Sequence, residues 1–153
     1  MWGEALSLAE VRDFLDREFP QIHEGGRSFE TEAAEPSSAR VRLAVERRHL
    51  RPGGTVSGPA MMALADLAAY VAILASLGPV ALAVTTNLNI NFLRRPRPGA
   101  LAADCRLIKL GRRLAVAEVE IRAEGDPELA AHAVLTYALP PHAAPNPEPV
   151  GGI

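Results

Sequence analysis

The chain has 153 residues, 48% of them hydrophobic and 22% charged, with a formal net charge of −2. That is enough for one domain with one core, and the charge balance offers no bulk attraction to nucleic acid or to an anionic membrane. Cys105 is the only cysteine, which excludes an intrachain disulfide and a cysteine-built zinc site and points to a reducing compartment.

Along the chain, Ser7-Leu8-Ala9-Glu10 has the spacing of a capping box, with Leu6 as a hydrophobic staple. Leu8, Val11, Phe14, Leu15 and Phe19 follow at helical spacing, and Pro20 stops the run, so a helix is predicted over about 7–19. The acids around it stand where a secretory signal needs basic residues and a long apolar stretch, so the cytoplasm is the expected location. Ser28–Glu35 and Ala39–Glu46 flank Pro36-Ser37-Ser38 and read as a hairpin. Gly53, Gly54 and Gly58 mark a loop. A helix over about 58–77 follows, with Pro59 at its first position, and Gly78-Pro79 ends it.

Val80–Leu93 alternates with period two. Thr86, Leu88, Ile90 and Phe92 are assigned to one face, and Thr85, Asn87, Asn89 and Asn91 to the other. Arg94-Arg95-Pro96-Arg97-Pro98-Gly99 is a basic turn. Ala100–Leu110, Arg112–Ala123 and Glu128–Leu139 read as three more strands, joined at Gly111 and at Gly125-Asp126-Pro127. Residues 140–153 are rich in proline and read as a disordered tail, leaving 1–139 as a single domain.

Asp66 is the only charge between Pro59 and Val84. A carboxylate among Met, Leu, Ala, Val and Ile is costly unless compensated, so a buried acid one or two turns into a helix with a glycine-rich entry is a candidate catalytic arrangement. The apolar run is long enough to mimic a transmembrane helix. Asp66 within it, the Gly78-Pro79 break and the lack of a basic flanking bias argue instead for a core helix. The order of elements predicts an α+β fold: an antiparallel sheet wrapped around one long central apolar helix, with an extra N-terminal helix and a partner subunit sharing the cover.

From Val41 to Tyr137 the chain resembles the hotdog-fold thioesterases of the phenylacetate-pathway (PaaI) type. The resemblance rests on a series in order: the glycine-rich loop Gly53 to Gly58, Leu64-Ala65-Asp66 on a helix, Thr85 to Gly99 (TTNLNINFLRRPRPG), Leu107 to Ile121, and Thr136-Tyr137 at the end of the last strand. It implies a hotdog fold and hydrolysis of acyl-coenzyme A at the interface of a homodimer or a dimer of dimers. No cofactor or metal is implied, coenzyme A being part of the substrate. Asp66 matches the general base or nucleophile. Gly58 matches the glycine whose N–H polarises the thioester carbonyl from the other subunit. Thr85 matches a Ser or Thr that positions the attacking water. Ser57 and Pro59 depart from the usual H-G-G, and Arg51 stands where an asparagine is frequent.

Each assignment has a structural counterpart. Asp66 also reads as an acid paired with an arginine across an interface. Thr85 reads as a plain strand residue, and Ser57 as an N-cap rather than a nucleophile. Arg94, Arg95, Arg97, Arg112 and Arg113 lie at strand ends, where they suit coenzyme A phosphates or form a solvated rim. The substrate-binding set is Ser57, Arg51, His49, Met62, Arg94, Arg95, Arg112 and Arg113. His23, His132 and His142 lack metal-ligand spacing. The alternative to a thioesterase is an acyl-coenzyme A-binding hotdog protein acting as sensor or carrier. A dehydratase or hydratase ranks last, because no His follows Asp66 before His132.

Overall fold

Helix α2, Gly58–Leu77, is the element around which the chain is arranged in the computed structural model, which describes residues 3–141. Every residue from Leu67 to Ala75 is buried. No single stripe faces the core over this stretch, as expected for a helix that is apolar all round. Ser57 is its N-cap, with an extended backbone and Oγ accepting the Ala60 N–H at 3.2 Å. Gly58 therefore takes the first helical position and Pro59 the second, one place later than predicted. At the other end Gly78 has φ 95°, and a Cβ there would lie 2.6 Å from the Glu4 carbonyl oxygen, so only glycine fits.

The strands are β1 Phe29–Glu35, β2 Ser38–Leu43, β3 Leu50–Arg51, β4 Thr55–Val56, β5 Val84–Phe92, β6 Leu101–Leu110, β7 Leu114–Ala123 and β8 Leu129–Ala138. Six form one antiparallel sheet in the order β1-β2-β6-β7-β8-β5, while β3 and β4 make a two-residue ladder before α2. The fold is thus the predicted hotdog arrangement. The buried positions of β7 and β8 alternate, and most are alanine: Ala115, Ala117, Ala131 and Ala133 among them. Small residues on the sheet let the alanine-rich helix sit close to it. The outer face is polar, with Arg40 on Asp104 at 2.8 Å and Glu118 between Arg106 (2.9 Å) and His132 (3.1 Å).

Helix α1, Leu8–Glu18, carries the predicted capping box at Ser7 and Glu10 and buries Val11, Phe14 and Leu15. Arg12 fastens it to β1 by donating to the Thr31 carbonyl at 3.0 and 2.7 Å. Two predicted strands are shorter than their apolar runs. Residues 80–83 form a turn closed by the Ala83 N–H on the Val80 carbonyl, so β5 starts at Val84. After Leu43, β2 gives way to a 3-10 turn at Arg47–His49. Burial in β6 pushes the Cys105 thiol up to about 12, so it stays protonated and unreactive. Of the predicted tail, residues 142–153 lie outside the described residues.

Two substitutions test this packing. Leu74→Ala, at a fully buried position on α2, lowers the unfolding free energy by about 2–5 kcal/mol. Ser7→Ala, which removes a cap, lowers it by about 1 kcal/mol. Urea denaturation followed by circular dichroism measures both, and equal losses would contradict the central position of α2.

Candidate active site

The sheet and α1 leave one strip of α2 uncovered. Pro59, Met62 and Ala63 are exposed there, and Asp66 continues the strip one turn on. Asp66 is therefore half-buried rather than buried as predicted, because it stands where the cover of the helix ends. It borders two adjoining cavities of about 410 and 550 Å³. Its carboxylate is held from one side. Thr85 Oγ1 and Tyr137 Oη each donate to Oδ1 at 2.6 Å, and Tyr137 Oη also lies 3.0 Å from the Asp66 carbonyl. Among the described residues no donor meets Oδ2, which is left for a ligand or water.

Thr85 reaches Asp66 because β5 is irregular. The pairing with β8 runs Thr85 to Tyr137, then Asn87 to Thr136, with Thr86 as the extra residue. This bulge reverses the predicted face of Thr85. It lies opposite Tyr137, as Leu88 and Ile90 lie opposite the buried Leu135 and Ala133, so all three face the helix. Thr86 turns away and donates to the Thr136 carbonyl at 3.2 Å.

Tyr137 was not among the predicted site residues. The only signals for it were the Thr136-Tyr137 ending and its inward place in the alternation of β8. It is 4% exposed. Burial first, and then the Asp66 charge, hold its phenol protonated well above the ordinary range. It therefore acts as a donor. Tyr70, one turn beyond Asp66, stacks on it with centroids 6.3 Å apart and an interplanar angle of 14°. Burial pushes the Tyr70 phenol up to about 12, and its hydroxyl points to the Val80 and Ala81 carbonyls at 3.4 and 3.3 Å.

Gly58 belongs to a different cavity, of about 660 Å³, which Arg51, Arg94, Arg95 and Met61 also line. In the first turn of α2, Ser57 Oγ takes the Ala60 N–H, Pro59 has no N–H, and the Met61 N–H closes on the Ser57 carbonyl. The Gly58 N–H is thus the uncommitted donor at the helix start among the described residues. A Cβ on Gly58 would lie 3.2 Å from the end of the Phe92 ring, a tight contact that this side chain would have to yield to. Eight residues separate Gly58 from Asp66, about 12 Å of helix rise. Within one chain the two groups are therefore too far apart along α2 to meet at one carbonyl.

The other predicted residues divide by position. His49 lines the 410 Å³ cavity, and its carbonyl accepts the Ser57 N–H at 2.8 Å. Ser57 is engaged as an N-cap. Arg94 is held by Glu128 and the Leu129 carbonyl. Met62 is 39% exposed and borders none of these cavities, since the helical step turns Met61 to the Phe92 side instead. Arg112 and Arg113 are exposed before Leu114, which pairs with Ala138 beside Val84. They flank the start of β5, whereas Arg94 and Arg95 follow its end, roughly 26 Å away. The five arginines do not form one cluster. Among the described residues no group of three His, Cys, Asp or Glu side chains is placed to hold a metal.

Comparison with known proteins finds the thioesterase superfamily matching residues 53–130. A candidate thioesterase from Silicibacter sp. TM1040 shares 42% identity, covers 92% of this chain and 96% of its own, and superposes with a TM-score of 0.82. The phenylacetic acid degradation protein PaaI of Thermus thermophilus shares 28% identity over 78% of this chain and 99% of its own, with a TM-score of 0.68. A candidate esterase of Saccharolobus solfataricus is 29% identical over 88% of this chain and 86% of its own length.

The two phenols give a direct test of the site's burial. Tyr70 and Tyr137 are the only tyrosines, and in the native protein neither ionises until about pH 12 or above. In the unfolded chain both lose their protons near 10. The stability they contribute is therefore complete below about pH 10 and is lost as pH rises from there through about 12. Ultraviolet difference absorbance of the phenolate follows this, and a native phenol titrating near 10 would contradict the geometry.

Proposed function

Because the chain belongs to the thioesterase superfamily, we propose that it hydrolyses acyl-coenzyme A thioesters in the cytoplasm, giving a free carboxylic acid and coenzyme A. The observation that carries this reading is the Asp66 carboxylate, fixed through Oδ1 by Thr85 and Tyr137 with Oδ2 open. In the proposed reaction the thioester carbonyl accepts the Gly58 N–H of a second subunit, aided by the positive end of α2. Asp66 Oδ2 takes a proton from water as its oxygen adds to the carbonyl carbon. The tetrahedral intermediate then expels the thiolate. The C–S bond breaks, and the proton held by Asp66 passes to sulfur. Direct attack by Asp66 is the variant of this path.

The need for a second copy follows from the roughly 12 Å between Gly58 and Asp66. Strand β5 ends the sheet, and Val84, Phe92 and the adjacent Leu93 are exposed along it. An open edge with apolar side chains suits pairing with another chain. In this reading the arginine-lined cavity at Gly58 takes the coenzyme A phosphates, and the aromatic cavity at Asp66 takes the acyl group.

One observation favours a second reading, binding without turnover. Pro59 leaves Gly58 as a lone donor at the helix start, and removal of one oxyanion donor elsewhere costs about 2.7–4 kcal/mol. Thiol release from a panel of acyl-coenzyme A esters separates the two. Hydrolysis is expected, with kcat falling about 10²–10⁴-fold in Asp66→Ala and little change in KM. Equal rates in wild type and variant would end the catalytic assignment, and tight binding with no thiol release would favour the carrier. Site sharing is tested by mixing Asp66→Ala with Gly58→Val, whose added side chain crowds Phe92 and the N–H beside it, each expected to be impaired alone. Random reassortment restores one intact site in each mixed dimer, about a quarter of full activity; no recovery would contradict a shared site.

A further inference from the structure

The cavity beside Asp66 has apolar walls that include Phe19, Phe29, Leu67 and Tyr70, and its most enclosed polar lining besides Tyr137 is His49. The His49 ring has a defined tautomer. The Glu46 backbone N–H reaches Nδ1 at 2.9 Å, and a backbone N–H only donates, so Nδ1 carries a lone pair and the ring proton is on Nε2. Burial, and then the Arg48 charge, hold His49 below its ordinary range, which keeps the ring neutral near pH 7. Nε2 makes no hydrogen bond among the described residues and is not fully buried, and the ring lines the cavity. The ring meets Phe29 edge-on at 6.4 Å, which fixes its plane.

His49 and Asp66 line the same cavity from separate elements; the His49 carbonyl is bonded to the Ser57 N–H, nine residues before Asp66 on α2. In the proposed reaction a group that meets Nε2 therefore belongs to the acyl chain. It is not a carboxylate. The cation of the cavity, Arg48, spends its donors on Glu46 (2.5 Å), the Gly25 and Gly26 carbonyls (2.9 and 3.1 Å) and Ser28 Oγ. Glu24, which lines the same cavity, adds negative charge.

We infer that the His49 Nε2–H is the specificity contact of the acyl chamber, and that it selects acyl groups carrying a neutral oxygen acceptor (hydroxyl, ether or keto) along the chain. The inference rests on the proposal that this cavity receives the acyl group. A matched oxygen satisfies the donor, while a methylene in its place leaves that N–H without a partner in an apolar chamber.

The test uses coenzyme A thioethers, which resist hydrolysis, in matched pairs with a keto group or a methylene at successive carbons of the alkyl chain. Calorimetry on the wild-type protein is expected to show about tenfold tighter binding of the keto member at one position, and equal affinities in His49→Phe. Equal affinities for wild type at every position, or a preference that survives in His49→Phe, would overturn the assignment. If His49→Phe does not fold, ¹⁵N spectra of histidine-labelled wild type decide. They are expected to show the Nε2–H tautomer and a shift of Nε2 with the keto member alone, and an Nδ1–H tautomer would refute the contact. Binding of a thioether is independent of turnover, so loss of this preference and absence of thiol release are separate results.

Discussion

A helix with no polar face has to be covered on every side, and the rest of this molecule follows from that requirement. The curved sheet and α1 close around Leu67 to Ala75. Toward the N-terminal half the cover gives out along Pro59, Met62, Ala63 and Asp66. The one charge of the helix stands on that margin. Deep burial of an unpaired carboxylate would cost several kcal/mol, and full exposure would leave it unoriented. On the margin it keeps one oxygen toward the cavity while two hydroxyl groups hold the other.

Those hydroxyls come from neighbouring strands through unlike devices. Tyr137 follows the plain alternation of β8, and burial fixes it as a donor. Thr85 depends on the bulge at Thr86, without which it would face away from the helix. Both bond to Oδ1. Carboxylate orientation is thus set by strand register, a property of the sheet, rather than by the helix that carries Asp66.

The same helix keeps Gly58 and Asp66 in different cavities. Gly58 lies at its start beside Phe92 and the arginine-lined cavity, and Asp66 lies two turns on beside the aromatic one. In the proposed reaction the rigid rise of α2 sets the spacing of these two groups, and a second copy at the edge of β5 brings complementary halves of the site together. The loop carrying His49 ties these regions: its backbone caps the entry to α2 through the Ser57 N–H, and its ring lines the aromatic cavity beside Asp66.

Much of the fold was legible because its signals are local. The capping box at Ser7, the hairpin around Pro36 and Ser37, the bounds of α2 and the three last strands all come from residues within a few positions of each other. Asp66 was legible as a lone charge in an apolar run. Its half-burial, the inward turn of Thr85, the partnership of Tyr137 and the parting of Arg94 from Arg112 were not. By itself the sequence determined the two helices, the order of the longer strands and which residue types are chemically able to act, since periodicity, caps and turns are short-range properties. Only the tertiary structure decided which side chains meet, because one extra residue in a strand reverses its faces and contacts between distant segments depend on register that no local pattern encodes.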